Sequence, residues 1–461
     1  MKPAPDSFLS GALYLPGQRA AASLSRLIQH PTVSLRNPDD HNPEVFESFL
    51  QTLCELYPLV HTQLELERVN QHGLLIRWAG SNPSGTYDGA SRATILMAHY
   101  DVVPAAEPET WTHPPFSGHN DGEHLWGRGT LDDKGALVAW LEAAEALIEQ
   151  GFTPQNDVYF SFGNNEETAG DSAKAAVELL KARGISPWLV LDEGGAIATG
   201  VLSGIKSPAA MVGVAEKGIM DLQLTTRSPG GHASQPPRMG ATARLARAIM
   251  RLEMQQFPVE LPLATVSMFE RLAPLAPKPM SLVFSRARKL RLALARILPL
   301  MGPESSALVR TTMAVTTLSG SAGANVLAAT ATANVNIRLA LGQTVESALK
   351  RITTVIADPA VEMMVLEGSD PSPVSPDEGE AWEFLSGCIS TVFPHVPAVP
   401  YVMLAATDSR RFTEICANVY RFAPFVMDTA ARESIHGVDE KIGLKSLSDG
   451  VRFCETLLRR L

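Results

Sequence analysis

The chain has 461 residues, and hydrophobic residues make up 45% of them. This composition is sufficient for a large core and predicts two or three domains. The formal net charge of -10 argues against a nucleic-acid-binding protein, because such proteins normally present a basic face.

The cysteines and the apolar segments indicate the cellular location of the protein. Cys54, Cys388, Cys416 and Cys454 are scattered without C-x-x-C spacing, so we expect reduced thiols in a cytoplasmic protein rather than a disulfide framework. Residues 1–18 have no apolar core behind a basic start, so no signal peptide is expected. The best candidate for a membrane span, 281–301, carries five basic residues and is not expected to cross a bilayer.

Helices and strands alternate in the first two hundred residues. The run from Thr94 to Ala98 is short, apolar and rich in strand formers, which is typical of a buried strand in a parallel sheet. Between Lys134 and Gln150, apolar residues recur on one helical face, and Gly151 follows as a stop. The pattern predicts a mainly parallel α/β sheet flanked by helices. The predicted helices are 18–30, 44–57, 134–150 and 172–183, and the predicted strands are 93–98, 158–162 and 188–191.

The pattern changes near residue 214. Met220, Leu222 and Leu224 alternate with polar residues, as in a strand with one wet face. The following elements give the order β-α-β-β-α-β of a ferredoxin-like domain. They are a strand near 220–225, a helix at 241–255, strands at 311–318 and 329–339, a helix at 344–357 and a strand at 361–367. The chain then returns to α/β periodicity with helices 380–390 and 445–460 and a strand at 399–404.

We therefore predict a discontinuous α/β domain, 1–213 and 371–461, which carries an inserted α+β lid or dimerisation domain at 214–370. An extra segment near 271–306 contains the basic run 286–291. On a helix, Leu290, Leu294 and Ile297 would share a narrow face, which predicts a solvated packing helix. Contact with a membrane surface and an apolar substrate entrance are the alternatives.

Acidic residues and histidines follow the predicted parallel strands, at the sheet edge where ligands bind in α/β folds. Side chains alternate along a strand, so His99 and Asp101 emerge on the same side. Crowded carboxylates repel one another unless a cation lies among them, and a pair of divalent ions is the simplest solution. With imidazole and carboxylate ligands, zinc is the expected metal. The groups are His99/Asp101, Asp132/Asp133, Glu166/Glu167, Asp192/Glu193 and, in a loop near the C-terminus, His436.

Several ordered motifs resemble one dinuclear-zinc family. This family includes carboxypeptidase S, carnosinase, aminoacylases and succinyl-diaminopimelate desuccinylase, and the resemblance covers nearly the whole chain. Asp192-Glu193-Gly194-Gly195 and the long insert look most like its branch of carboxypeptidase S and N-fatty-acyl-amino-acid hydrolases. The matching motifs are His99–Pro104, Gly127–Gly135, Asn165–Glu167, Gly230–Pro237, Asn325–Leu327, Thr407–Arg410 and Ile435–Glu440.

The resemblance implies two zinc ions per subunit. Asp132 would bridge them, His99 and Asp192 would complete one ligand set, and Glu167 and His436 the other. Alignment with the single acid of the family favours Asp192 over its neighbour Glu193.

The resemblance also assigns the catalytic roles. Glu166 would be the general base that takes a proton from the attacking water and returns it to the departing amine. Asp101 would hold His99 in the correct tautomer. Asp133 would not be a ligand, and in the family its peptide bond to Asp132 is often cis.

Residues farther from the metals would bind the substrate. His232, in the inserted domain, would reach the cleft of a partner subunit and stabilise the tetrahedral oxyanion, which implies a homodimer. Asn325 and Arg338 resemble substrate-binding residues, and the planar fork of Arg338 suits a free carboxylate. Arg338 could instead be a solvated strand residue. Asp408, Ser409 and Arg410 are further substrate-binding candidates, with a plain helix N-terminal turn as the alternative.

The resemblance implies a metallo-carboxypeptidase or amidohydrolase. It would cleave a peptide or N-acyl bond next to an amino acid with a free carboxylate. A carnosinase-like dipeptidase and a catalytically inactive metal-binding relative are the alternatives, and the presence of Glu166 argues against the inactive one. His113, His119 and His124 are expected to be surface residues rather than metal ligands.

Overall fold

The computed structural model describes residues 16–37, 42–82, 86–87, 90–168 and 170–461. Most of the segment considered for a signal peptide, 1–18, lies outside these residues. In the described part of the chain the helices are α1 Pro16–Ile28, α2 Pro43–Leu56, α3 Pro58–Gln63, α4 Lys134–Glu149, α5 Asp171–Ala182, α6 Ala241–Met254, α7 Leu263–Leu272, α8 Met280–Phe284, α9 Arg291–Ile297, α10 Pro303–Ala307, α11 Val345–Ile356, α12 Glu380–Val392, α13 Ser409–Phe412, α14 Thr429–Ser434 and α15 Leu444–Leu458.

The strands include every strand predicted above, together with edge strands and short pairs that the periodicity does not reveal. They are β1 Glu65–Val69, β2 Gly73–Trp78, β3 Thr86–Tyr87, β4 Ala90–Ser91, β5 Thr94–His99, β6 His119–Asn120, β7 His124–Trp126, β8 Val158–Gly163, β9 Leu189–Asp192, β10 Ala196–Ala198, β11 Ala209–Glu216, β12 Gly218–Arg227, β13 Gly231–His232, β14 Thr312–Ser319, β15 Val326–Leu327, β16 Thr330–Leu339, β17 Val361–Ser369, β18 Ala398–Met403, β19 Val419–Arg421, β20 Val426–Met427 and β21 Lys441–Gly443.

The chain divides into two compact units, one made of Met1–Met211, Glu378–Ala398 and Thr407–Leu461, the other of Val212–Asp377 and Val399–Ala406. The larger sheet has the order β1-β2-β8-β5-β9-β19-β11-β10-β20. Strands β8, β5, β9 and β19 are parallel neighbours, whereas β1–β2, β2–β8 and β10–β11 are antiparallel. The α/β fold with flanking helices is confirmed, as a mixed sheet with a parallel centre.

The centre of this sheet is buried because its strands have no wet face. All six residues of β5 and all six of β8 are buried. Ile95 and Met97 share a hydrophobic cluster with Ala176 and Leu180 of α5. Helix α4 also contacts β5, and α1 and α15 pack against α4. Helices therefore flank the parallel strands, as continuous apolar strands require.

The second unit contains the predicted ferredoxin-like motif. Its antiparallel sheet has the order β14-β16-β12-β17, and burial alternates strictly along β12 and β16. Met220, Leu222 and Leu224 pack in one core with Leu245 of α6 and Ile352 of α11. One face of the sheet is thus covered by the two helices.

The extra segment does not form the single packing helix predicted from its periodicity. Short helices α8 to α10 replace it, and α9 begins only at Arg291. Leu294 is buried, but Leu290 and Ile297 are exposed, so the expected apolar face is not a packing face. No described helix is long and apolar enough to cross a membrane.

Candidate metal centre and active site

The carboxyl ends of three parallel strands bring acidic residues and a histidine to one edge of the sheet. Strand β5 ends at His99, and its neighbours β8 and β9 run parallel to it on either side. Glu166 and Glu167 follow β8, and Glu193 follows β9. Parallel strands end at the same edge, so residues far apart in sequence meet there.

Asp132 lies between two histidines. Its Oδ1 is 2.9 Å from Nε2 of His99, and its Oδ2 is 3.0 Å from Nε2 of His436. Nε2 of His436 is also 3.1 Å from Oε1 of Glu167, and Nε2 of His99 is 3.8 Å from Oε1 of Glu193. Two groups of possible metal ligands result, His99/Asp132/Glu193 and Asp132/Glu167/His436. Asp132 belongs to both, in the position of the predicted bridge.

The structure brings Glu193, and not the predicted Asp192, into the first ligand group. Asp192 is occupied elsewhere, because its Oδ2 accepts a hydrogen bond of 2.9 Å from the backbone N–H of Ser409. We take Glu193 as the candidate ligand within this group, and a ligand role of Asp192 stays a prediction.

Asp101 holds two parts of the site together. Its Oδ1 lies 3.3 Å from Nδ1 of His99, consistent with the orienting role implied by the resemblance. Its two carboxylate oxygens also accept hydrogen bonds from the backbone N–H groups of Glu166 and Glu167, each at 3.1 Å. Ser34 donates a further bond of 2.6 Å to Oδ2. Asp101 thereby links the imidazole to the loop that carries the candidate base, a role not predicted from sequence.

The charges of the site are unbalanced without a cation. Burial raises the pKa of Glu166 well above its ordinary value, and Asp408 and Glu167 raise it further. Burial followed by the charges of Asp132 and Asp133 likewise raises the pKa of Glu193. Hydrogen bonds to Asp132 and Glu167 raise the pKa of His436 to about 10. A cation among these carboxylates would favour their ionised forms.

The peptide bond between Asp132 and Asp133 is cis, as the resemblance implied. The backbone N–H of His99 donates to Oδ2 of Asp133 at 3.3 Å, so Asp133 contacts the main chain of the histidine. It belongs to neither candidate ligand group. These contacts are consistent with a supporting residue.

A buried ion pair joins two segments of this site that are 312 positions apart in the chain. Nη1 of Arg128 donates to Oε2 of Glu440 at 2.6 Å, and both side chains are fully buried. Glu440 also accepts backbone hydrogen bonds from Gly129, Leu131 and Asp132, at 2.8–3.3 Å. Nη2 of Arg128 donates to the carbonyl oxygen of Gly437. The pair thus fixes the backbone beside both Asp132 and His436.

The segment after Ala406 is largely buried. Ser409 is fully buried and Asp408 nearly so, and burial followed by the charge of Asp192 raises the pKa of Asp408 to about 8. The backbone N–H of Ser409 donates to Oδ2 of Asp192, so this segment supports the end of β9. The substrate-binding roles of Asp408 and Ser409 stay predictions. Arg410, which is partly exposed, stays a predicted substrate contact.

The remaining predicted residues lie in the second unit. His232 is exposed on β13, and its Nδ1 is 2.7 Å from the hydroxyl of Ser234. Strand β15 pairs with β13, and the carbonyl oxygen of Asn325 accepts from the backbone of Ala233 at 3.0 Å, so Asn325 lies beside His232. Arg338 is half-buried on β16. Their roles in substrate binding stay predictions.

The histidines of the loop 111–126 form a separate surface group. His113 and His119 stack with ring centroids 3.9 Å apart, and His119 is exposed. Together with His124, they are absent from the candidate metal groups of the described residues.

Comparison with known proteins adds the family. The model of "Peptidase family M20/M25/M40" matches residues 95–460. The chain is 34% identical to the human "N-fatty-acyl-amino acid synthase/hydrolase PM20D1", over 95% of this chain and 86% of that protein. It is 33% identical to "Probable carboxypeptidase S-like 2" of Dictyostelium discoideum, over 95% and 84%. The crystal structure of human carnosine dipeptidase 1 has the same fold, with a TM-score of 0.69 at 15% identity over 97% and 96% of the two chains.

Proposed function

The chain belongs to peptidase family M20/M25/M40 and hydrolyses peptide or linear amide bonds, and we propose that it uses two zinc ions to cleave substrates with a free carboxylate. The observation that carries this proposal is the position of Asp132 between two histidines, each at 3.0 Å or less and each with a further carboxylate beside it.

The donor set fits the proposed metal. Each ligand group offers one imidazole nitrogen and two carboxylates, with Asp132 shared between them. Zinc takes histidine nitrogen and carboxylate oxygen as ligands, and it leaves a position open at catalytic sites. His99, Asp132 and Glu193 would hold one ion, and Asp132, Glu167 and His436 the other.

Glu166 is the proposed general base and acid. Zinc bound here would polarise the scissile carbonyl and make the attacking water more acidic. Glu166 takes a proton from that water while the new C–O bond forms, then delivers it to the amide nitrogen as the C–N bond breaks. The products are a carboxylate and an amine.

The proposed carboxylate site centres on Arg338. Among the described residues, its guanidinium forms no ion pair or hydrogen bond. Its charge acts on buried Lys217 of the same unit. Burial and then Arg338 lower the pKa of Lys217 to about 8. A guanidinium without a bound acid is suited to bidentate recognition of a carboxylate.

The test of the mechanism separates catalysis from metal binding. Glu166→Gln should lower turnover by several orders of magnitude while both metals are retained. The exposed Glu123→Gln variant serves as the matched control and should keep wild-type activity. Equal activity of zinc-loaded Glu166→Gln and wild type would contradict the proposed role.

The names of the relatives support a proposal for the acyl side of the substrate. We propose N-acyl amino acids, including long-chain ones, as substrates, because the human relative is named as an N-fatty-acyl-amino acid synthase/hydrolase. Turnover of a long-chain N-acyl amino acid should exceed that of unblocked dipeptides. Hydrolysis of dipeptides alone would favour a carnosinase-like dipeptidase.

The assembly and location are proposed on separate grounds. Exposed His232 would contribute to catalysis in a homodimer, and light scattering of an active preparation should give twice the chain mass. A monomer would contradict this proposal. A cytoplasmic location is supported by four free cysteines, three of them buried.

A further inference from the structure

The extra segment of the second unit has a charge opposite to that of the whole chain. From Arg271 to Pro303 the sequence contains seven basic and no acidic side chains, whereas the chain has a formal net charge of -10. Such a block on an acidic protein attracts an anionic partner locally.

Large apolar side chains are exposed within the same segment. Leu292 is 74% exposed, Leu300 is 85% exposed and Met301 is 64% exposed. In α9, buried Leu294 marks the inner side, and at about 100° per residue Leu292 and Arg296 fall on the opposite side. Ile297 lies about 60° from Leu294, at the border of the inner side, and is 51% exposed. We call this surface, Leu292 to Met301 with the preceding basic residues 286–291, the basic-apolar surface.

Four of the cations are available to a partner. Lys278, Arg286, Lys289 and Arg296 are exposed, and they form no ion pair with the acidic side chains of the described residues. By contrast, Arg291 binds Oε1 of Glu260 at 2.7 Å, and Arg288 lies 3.8 Å from Glu270. The four cations are therefore not neutralised within the fold, and Arg296 lies beside exposed Leu292, to whose carbonyl oxygen its Nη1 donates at 3.3 Å.

We propose that the basic-apolar surface docks on an anionic phospholipid bilayer. Leucine and isoleucine side chains would enter the acyl boundary while arginine and lysine reach the headgroup phosphates. A cleft of about 460 Å³ beside it, lined by Leu263, Arg291 and Phe257 among others, adds apolar surface at the same place.

Two other partners fit the surface less well. In a two-fold dimer the same patch meets itself, so the cations would oppose one another. Nucleic acid would match the charge but leave the leucines exposed to water. An anionic bilayer satisfies both the charge and the apolar surface.

Vesicle flotation tests the proposal with the full-length protein. Wild type should bind phosphatidylcholine vesicles containing 30% phosphatidylglycerol and not pure phosphatidylcholine vesicles, and 0.5 M salt should weaken the binding. Lys289→Glu/Arg296→Glu should lower the partition coefficient at least about 25-fold, at about five-fold per cation. Leu292→Gln/Leu300→Gln should lower it about ten-fold or more.

Matched variants on the same unit separate specific docking from general effects. Leu318→Gln replaces an exposed leucine of β14, and Lys350→Glu replaces an exposed lysine of α11, and both should bind vesicles as wild type does. Thermal melting should show all variants folded. Absence of wild-type binding to the anionic vesicles would overturn the proposal. The proposal would also be overturned if the charge variants bound vesicles as wild type does but lost self-association or lost binding to a 30-nucleotide DNA.

Discussion

Replacing Glu440 by Gln tests whether the buried ion pair fixes the candidate metal centre. The change keeps the size of the side chain, but both carboxylate oxygens now accept hydrogen bonds, one from Nη1 of Arg128 and the other from the backbone of Leu131. The amide nitrogen would therefore face a donor in either orientation. Removing one partner of a fully buried ion pair lowers the free energy of unfolding by about 3–5 kcal/mol, because the other charge is left unpaired. We therefore expect the free energy of unfolding to fall by that amount.

A second effect concerns the metal. Glu440 accepts from the backbone N–H of Asp132, and Arg128 donates to the carbonyl of Gly437, next to His436. Loosening these contacts should weaken zinc binding about 10- to 100-fold, the usual effect of losing a group that supports metal ligands.

Denaturant unfolding with chelator present measures the first effect, and zinc titration by calorimetry the second. The matched control is Glu455→Gln, which breaks an exposed i,i+4 pair with Arg459 and should cost at most about 1 kcal/mol. A loss of stability for Glu440→Gln no larger than that of Glu455→Gln would show that the buried pair does not contribute this stability.

Three further predictions concern other residues. Glu193→Gln should lower the affinity for one of the two zinc ions by more than about 100-fold, whereas Asp192→Asn should lower it about 10- to 100-fold. Metal analysis measures both losses of affinity. A larger loss for Asp192→Asn than for Glu193→Gln would identify Asp192 as the ligand. Lys217 has a folded pKa of about 8, below its unfolded value, so its contribution to stability is present above the unfolded pKa and is lost as the pH falls toward 8. Relative to Lys217→Met, wild type should therefore gain about 2–3 kcal/mol in unfolding free energy between pH 8 and pH 10.5, and parallel curves would contradict this. Arg338→Met should raise KM at least ten-fold for a free-carboxylate substrate but not for its amide, and equal effects on both would exclude carboxylate binding.

The elements that carry the site could be predicted from sequence because their patterns are local. The apolar run Thr94 to His99 and the alternation of Met220, Leu222 and Leu224 each define a strand and its buried side. The hairpin β1–β2 was not predicted. Its sequence shows neither the two-residue repeat of a strand nor the 3.6-residue repeat of a helix clearly.

Contacts between distant residues could not be predicted in the same way. The choice between Asp192 and Glu193 depends on the residue at which β9 ends, and a shift of one position exchanges the two carboxylates. Arg128 and Glu440 are 312 positions apart, and neither periodicity nor spacing connects them. Both residues lie in motifs that resemble the family. This resemblance was the only feature of the sequence that could have indicated that they support the metal ligands.

Anomalous diffraction at the zinc edge, from crystals grown with zinc, would locate the metal ions directly. We expect two peaks with Asp132 between them, one bound by His99 and Glu193 and the other by Glu167 and His436. A single peak, or two peaks that Asp132 does not join, would contradict this prediction.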